Sequence, residues 1–203
     1  MTLRCLLLTL LLFCGATRAD ERISICFNYS CVTEAPARFS ESQLAQARRM
    51  LQAARSPVLE RKVLAQVVGN LYRIAGRQTP VYADRGGNLA DEAVNGAMDC
   101  IDHSTTTTRF LKMLAQRGWL RHHRVLEPAR RTRGFIFEHY SAMVEELPPR
   151  WLPKQKRGQR TETPGVALPG RFVVDSWFVN NGEAAVILPL DEWLSGGGPD
   201  VGN

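Results

Sequence analysis

The order of segments predicts an α+β domain: an antiparallel sheet packed on a central helix that carries a cysteine, with further helices ahead of it. Two helical patterns occupy residues 40–76 and a third follows Cys100. From residue 120 onward, four strand-like runs succeed one another with no helical pattern between them. Strands linked without crossover helices pair antiparallel, and helices followed by strands pack as two layers around one core.

The chain of 203 residues opens with a short basic start, Met1-Thr2-Leu3-Arg4, an apolar run from Cys5 to Cys14, and small residues up to Ala19. This is the layout of a secretory signal peptide over residues 1–19. The apolar run is shorter than a membrane-spanning helix requires, and Phe13 before Cys14 fits a lipoprotein cleavage site poorly. No later segment is apolar enough for stable membrane insertion, so the expected location is periplasmic or secreted. Residues 20–195 are the length of a single domain with a real core, and residues 196–203 read as a flexible tail. The formal charge of +6 falls to +4 once Arg4 and Arg18 are removed. The basic clusters at 121–124, 130–133 and 150–160 lack interleaved aromatic residues, which excludes a nucleic-acid-binding pattern. They read as solvated loops facing anionic surroundings.

Along the domain, Cys26 and Cys31 are expected to form a disulfide that closes a small loop in an oxidising compartment. Ser40-Glu41-Ser42-Gln43 resembles a capping box, and Leu44, Met50, Leu51 and Ala54 share one side of the helix behind it. Ser56-Pro57 is an N-cap followed by proline at the first helical position. From Leu59 to Ile74 the apolar residues keep a helical period, ending at Gly76. Residues 78–95 form a loop with a turn at Asp84-Arg85-Gly86-Gly87-Asn88, placed to build one wall of a cleft. The Gly-Gly pair lacks the spacing of a phosphate loop.

Residues 104–116 form the central helix, with Phe110, Leu111 and Leu114 as its apolar stripe and Gly118 as its stop. Thr105 to Thr108 have poor helix propensity, so burial must hold this helix. Strands are expected over 120–126, 134–145, 171–178 and 184–188, then a short helix over 189–194. Residues 146–170, rich in Pro, Lys, Arg and Gly, read as a mobile basic insertion at a hairpin tip.

Once the leader and the Cys26–Cys31 pair are set aside, Cys100 is the odd cysteine. In an exported chain it is either an intermolecular linker or a reactive thiol. Cys100 stands at the start of the central helix, where unpaired N–H groups and the macrodipole favour a thiolate. A nucleophilic thiol needs a base, and His139 lies on a strand beside that helix, sharing a face with Ser141 and Met143. Asp175 on the next strand can accept a hydrogen bond from the imidazole and fix its tautomer. Cys100 as an inert buried thiol stays open, as does His139 as a hydrogen-bonded core residue. Asp99 and Asp102 argue against an apolar site for Cys100 but oppose its ionisation. Asp102 falls in the first helical turn, where an acid stabilises the N-terminus. His103, His122 and His123 are expected at the surface or behind the site. Their spacing with Cys100 and Asp102 matches no compact zinc pattern.

The ordered set of Asp99-Cys100-Ile101-Asp102, a helix through Leu111 and Leu114 to Gly118, Glu138-His139-Tyr140 and Val174-Asp175-Ser176-Trp177 is similar to the transglutaminase-like (papain-like) cysteine peptidase superfamily. The resemblance covers residues 98–194, about half the chain. It implies Cys100 as nucleophile, His139 as base and Asp175 as orienting residue. The run from Cys100 to Thr108 also resembles a proteobacterial exported family of unassigned function. The activity implied is acyl transfer on protein or peptide amides of the cell envelope, as in a cysteine protease, amidase or transglutaminase. No organic cofactor and no metal are implied. The alternative is a non-catalytic binding or assembly protein on a degenerate scaffold of the same kind.

Overall fold

A computed structural model describes residues 20–88, 90–133, 137–148 and 170–199. The expected leader, residues 149–169 of the basic insertion and residues 200–203 of the tail lie outside the described residues.

The described residues open with a hairpin of which the sequence suggests only the disulfide loop. Strands β1 (Glu21–Phe27) and β2 (Thr33–Phe39) pair antiparallel as a two-stranded sheet of their own. Ile25, Phe27, Ala37 and Phe39 point into the main core. The Cys26–Cys31 disulfide closes the tip. Asn28, Tyr29, Ser30 and Cys31 all adopt left-handed φ values of 65°, 63°, 51° and 54°, a conformation L-residues enter reluctantly and rarely in succession.

Helices α1 (Glu41–Ala53) and α2 (Pro57–Gly76) form as expected. Ser40 and Gln43 exchange the two bonds of a capping box, and Ser56 accepts from the Leu59 N–H. After a short 3-10 turn at Pro80–Ala83, the chain loops to α3 (Cys100–Gln116), and Gly118 ends that helix at φ 69°. Helix α3 is the centre of the molecule, packed on α2 and β1 and on the second sheet. Phe110 meets Phe39 and Tyr72 edge-on at 5.6 and 5.2 Å. Thr106, Thr107 and Thr108 are buried, and Thr106 Oγ1 accepts from the Cys26 N–H at 3.0 Å. Burial therefore holds a helix that propensity alone would not.

The second sheet runs β3 (His123–Arg133), β4 (Phe137–Glu146), β5 (Arg171–Asp175) and β6 (Val186–Pro189), in chain order and antiparallel throughout. The fold is α+β. Pro128 falls where the β3–β4 register shifts between Leu126 and Ala129, a position on an edge strand where a missing N–H is harmless. Ala142 and Val144 of β4 face α3 in the main core. Met143 faces the other way, into a small cluster with Ala129, Val173 and Trp193 of helix α4 (Leu190–Leu194). Gly196 and Gly197 still donate to the Trp193 and Glu192 carbonyls. Among the described residues no helix is long and apolar enough to cross a membrane.

Helix α2 touches the β5–β6 connection at Gly69, where a Cβ would stand 2.2 Å from the Glu183 carbonyl oxygen. Alanine in a helix interior normally gains about 1 kcal/mol over glycine. Here the sign reverses: Gly69→Ala is expected to lose about 2 kcal/mol through overpacking against backbone. A urea-unfolding midpoint at or above wild type would refute this contact.

Candidate active site

Residue 100 is the first residue of α3, and its surroundings follow from the cap. Asp99 is the N-cap, its Oδ1 accepting from the Ile101 and Asp102 N–H groups at 3.0 and 2.9 Å. Asp102 Oδ2 reaches back to the Asp99 N–H at 3.2 Å, completing a capping box. The other oxygens of these acids serve the hairpin tip. Ser30 N–H donates to Asp99 Oδ2 at 2.9 Å, and Cys31 N–H to Asp102 Oδ1 at 2.7 Å. The left-handed run at the tip aims these N–H groups at the acid pair. Asn28 ties the same tip to the segment before Cys100, donating to the Ala97 carbonyl and accepting from Gly96.

His139 and Asp175 come together as expected. His139 Nε2 lies 2.7 Å from Asp175 Oδ2. Asp175, 1% exposed, also accepts from Trp193 Nε1 at 2.9 Å and from the Trp177 N–H at 3.2 Å. Trp177, Phe178 and Trp193 pack around the imidazole, with centroids 4.9, 5.5 and 5.5 Å away. With Nε2 engaged by a carboxylate, Nδ1 is the nitrogen left to accept a proton.

Cys100 is half-buried against the same strand. Its Sγ lies 3.7 Å from the Glu138 carbonyl oxygen, and the Tyr140 N–H is directed at the sulfur. The thiol thus sits along β4 on either side of residue 139, donating to backbone and not to the imidazole. Burial pushes the Cys100 thiol up to about 11, with Asp99 and Asp175 adding to the rise and the Tyr140 N–H opposing it. A helix N-terminus alone does not make this sulfur a thiolate.

The loop after the 3-10 turn is tied to the connection that follows β5. Gly87 N–H donates to the Trp177 carbonyl at 2.8 Å and Gly86 N–H to Asn180 Oδ1 at 3.3 Å. His103 and His123, expected at the surface or behind the site, are both buried. His103 lies against Asp84 and Ser176; His123 lies against Glu60. Trp193, Asp84 and Ser176 are not readable as site residues from the sequence, because nothing in the local pattern of each links it to residues far along the chain. The Asp99-x-x-Asp102 spacing is a readable capping signal. Among the described residues, Cys26, Cys31 and Glu34 have ligand-type atoms within 4.8 Å of one another. Both sulfurs are in the disulfide and Glu34 is paired with Arg109, so none is free to bind a metal in this state.

No protein-family model, no curated protein and no solved structure matches this chain.

Proposed function

We propose that the chain is an exported thiol-dependent acyl-transfer enzyme on a transglutaminase-like scaffold, cleaving or exchanging protein or peptide amides of the cell envelope. The observation that carries this reading is the His139–Asp175 pair, with Nδ1 left over, on the strand that also holds the Cys100 sulfur. The disulfide supports an oxidising compartment.

In this reading the resting thiol is neutral, and its ionisation is part of the attack. Cys100 Sγ bonds to the amide carbonyl carbon while its proton passes to His139 Nδ1. Asp175 stabilises the imidazolium through Nε2. The C–N bond then breaks, His139 returns the proton to the leaving amine, and a thioester remains on Cys100. Water releases an acid, and an amine acceptor gives a new amide instead.

The test is the rate of Cys100 alkylation by iodoacetamide against pH, in wild type and His139→Ala. Wild type is expected to keep alkylating at pH 7, well below the thiol's own ionisation near 11, because His139 takes the proton during attack. In the mutant only the limb near 11 is left, and the rate at pH 7 drops about a hundredfold. Superimposable profiles would overturn the Cys–His reading. The second reading, a non-catalytic binding or assembly protein, is favoured by the raised thiol pKa, and superimposable profiles would select it.

A further inference from the structure

His103 is a buried titratable group that the acyl-transfer chemistry does not use, and it stands one helical turn beyond Cys100. We propose that His103 is a positioning residue, clamped between Ser176 and Asp84, that sets where the start of α3 stands relative to the end of β5. The inference rests on the acyl-transfer reading for its functional meaning, while the clamp itself is geometric.

His103 Nδ1 lies 2.9 Å from Ser176 Oγ, and Ser176 directly follows Asp175. Thr107, on the next turn of α3, meets the same hydroxyl at 2.8 Å. Tyr72 of α2 closes the group, donating to the His103 carbonyl at 3.3 Å and lying 3.0 Å from Thr107 Oγ1. On the other side, His103 Nε2 pairs with Asp84 Oδ2 at 3.1 Å. Asp84 Oδ1 accepts from the Met98 N–H at 3.0 Å, two residues before Cys100. The Asp84 carbonyl accepts from Asn181 in the β5–β6 connection at 3.3 Å. One imidazole therefore joins the segment before the thiol, the helix that carries it and the residue after the orienting acid.

His103 is 3% exposed, and Asp84 and Ser176 are buried with it. The groups facing it are Asp84 from the loop, Asp102 from its own helix, Asp175 from β5 and Tyr72 from α2. Burial pulls the His103 pKa down, but Asp84 first, then Asp175 and Asp102, outweigh it and hold the value raised. A protonated ring donates at both nitrogens, to Ser176 and toward Asp84, which is the arrangement a two-sided clamp needs. Catalytic groups must be held to within about 0.5 Å by such supporting contacts.

The experiment compares wild type, Ser176→Ala, Ser176→Thr and His139→Ala in the full chain, by the pH profile of Cys100 alkylation and by amide hydrogen exchange. Ser176→Ala removes one oxygen and leaves the His103–Asp84 contact. It is expected to slow alkylation at pH 7 about tenfold and to speed exchange over residues 101–106 at least about tenfold, with residues 142–145 unchanged. Ser176→Thr, which keeps the hydroxyl, is expected to restore both. Unchanged exchange and alkylation in Ser176→Ala overturn the clamp, whatever His139→Ala does. Faster exchange across all segments alike also overturns it, since that is general destabilisation. Faster local exchange with a His139→Ala profile identical to wild type keeps the clamp and removes the acyl-transfer reading.

Discussion

Glu60→Ala is expected to lose about 3–5 kcal/mol of unfolding free energy, the cost of removing one partner from a buried polar cluster. Glu60 is fully buried on α2. Its carboxylate accepts from the Arg121 N–H at 2.7 Å, the His122 N–H at 3.0 Å and His123 Nδ1 at 2.9 Å. His123 Nε2 lies 3.2 Å from Arg61 Nη1, and arginine can only donate, so Nε2 is the acceptor and Nδ1 carries the proton. The Glu60 contact is a hydrogen bond from His123 Nδ1 to the carboxylate. Burial pulls the Glu60 pKa up, but the His123, Arg121 and His122 donors outweigh it and hold the value lowered. Alanine would leave one buried and two part-buried donors without an acceptor at the point where α2 meets the entry to β3. Glu60→Gln keeps one oxygen and the shape and is expected to lose less than half as much. Urea unfolding of the two variants checks both statements; equal losses would mean that volume, not hydrogen bonding, matters at this position.

The opposite sign is expected at Asp102. Burial and the neighbouring Asp99 charge raise its pKa to about 6, against the N–H donors from Cys31 and Asp99. The folded state therefore binds a proton that the unfolded chain releases near pH ~4. Between these values stability falls as pH rises, because the native state holds more protons than the unfolded one. The difference between these two values corresponds to roughly 3 kcal/mol, present below pH ~4 and lost by pH ~6. Glu60 and Glu145, both held low, act the other way, their contributions being lost as pH falls through the acid range. Asp102→Asn, which stays neutral at every pH, is expected to remove the fall between pH ~4 and ~6. A stability–pH curve of unchanged shape in that variant would show that the Ser30 and Cys31 N–H groups already neutralise the acid pair.

Local chemistry makes much of this legible in the sequence. Ser40, Ser56 and the Leu59–Ile74 period announce α1 and α2, and four strand runs without intervening helices imply the antiparallel order of the second sheet. Alternation and chain order place His139 and Asp175 on neighbouring strands, and they meet. The first hairpin is hidden because its turn is built from four left-handed residues that carry no Asn-Gly or Gly-rich signal, and because β2 contains Pro36 and few β-branched residues. The thiol's environment departs from expectation in one respect. A helix start suggests activation, whereas burial against β4 and two nearby carboxylates leaves Cys100 raised. Desolvation depends on what packs over a side chain, which spacing along the chain does not encode. His103 and Trp193 are hidden for the same reason: their partners, Asp84, Ser176 and Asp175, are close only after folding.

The short span between Cys26 and Cys31 has a consequence for oxidative folding. Among the described residues there are three thiols to sort, and only one pairing leaves Cys100 free. Closing a loop costs entropy that grows by about 0.6 kcal/mol for each doubling of its length. The native loop spans a sequence separation of 5, whereas either wrong loop would reach to Cys100, several doublings longer. Pairing within the tip is thus favoured before α3 has docked, while all three sulfurs are still exposed. A crosslink this local does little to restrict the unfolded chain. Its larger effect is to remove the two competing thiols early, so that Cys100 enters the folded structure reduced.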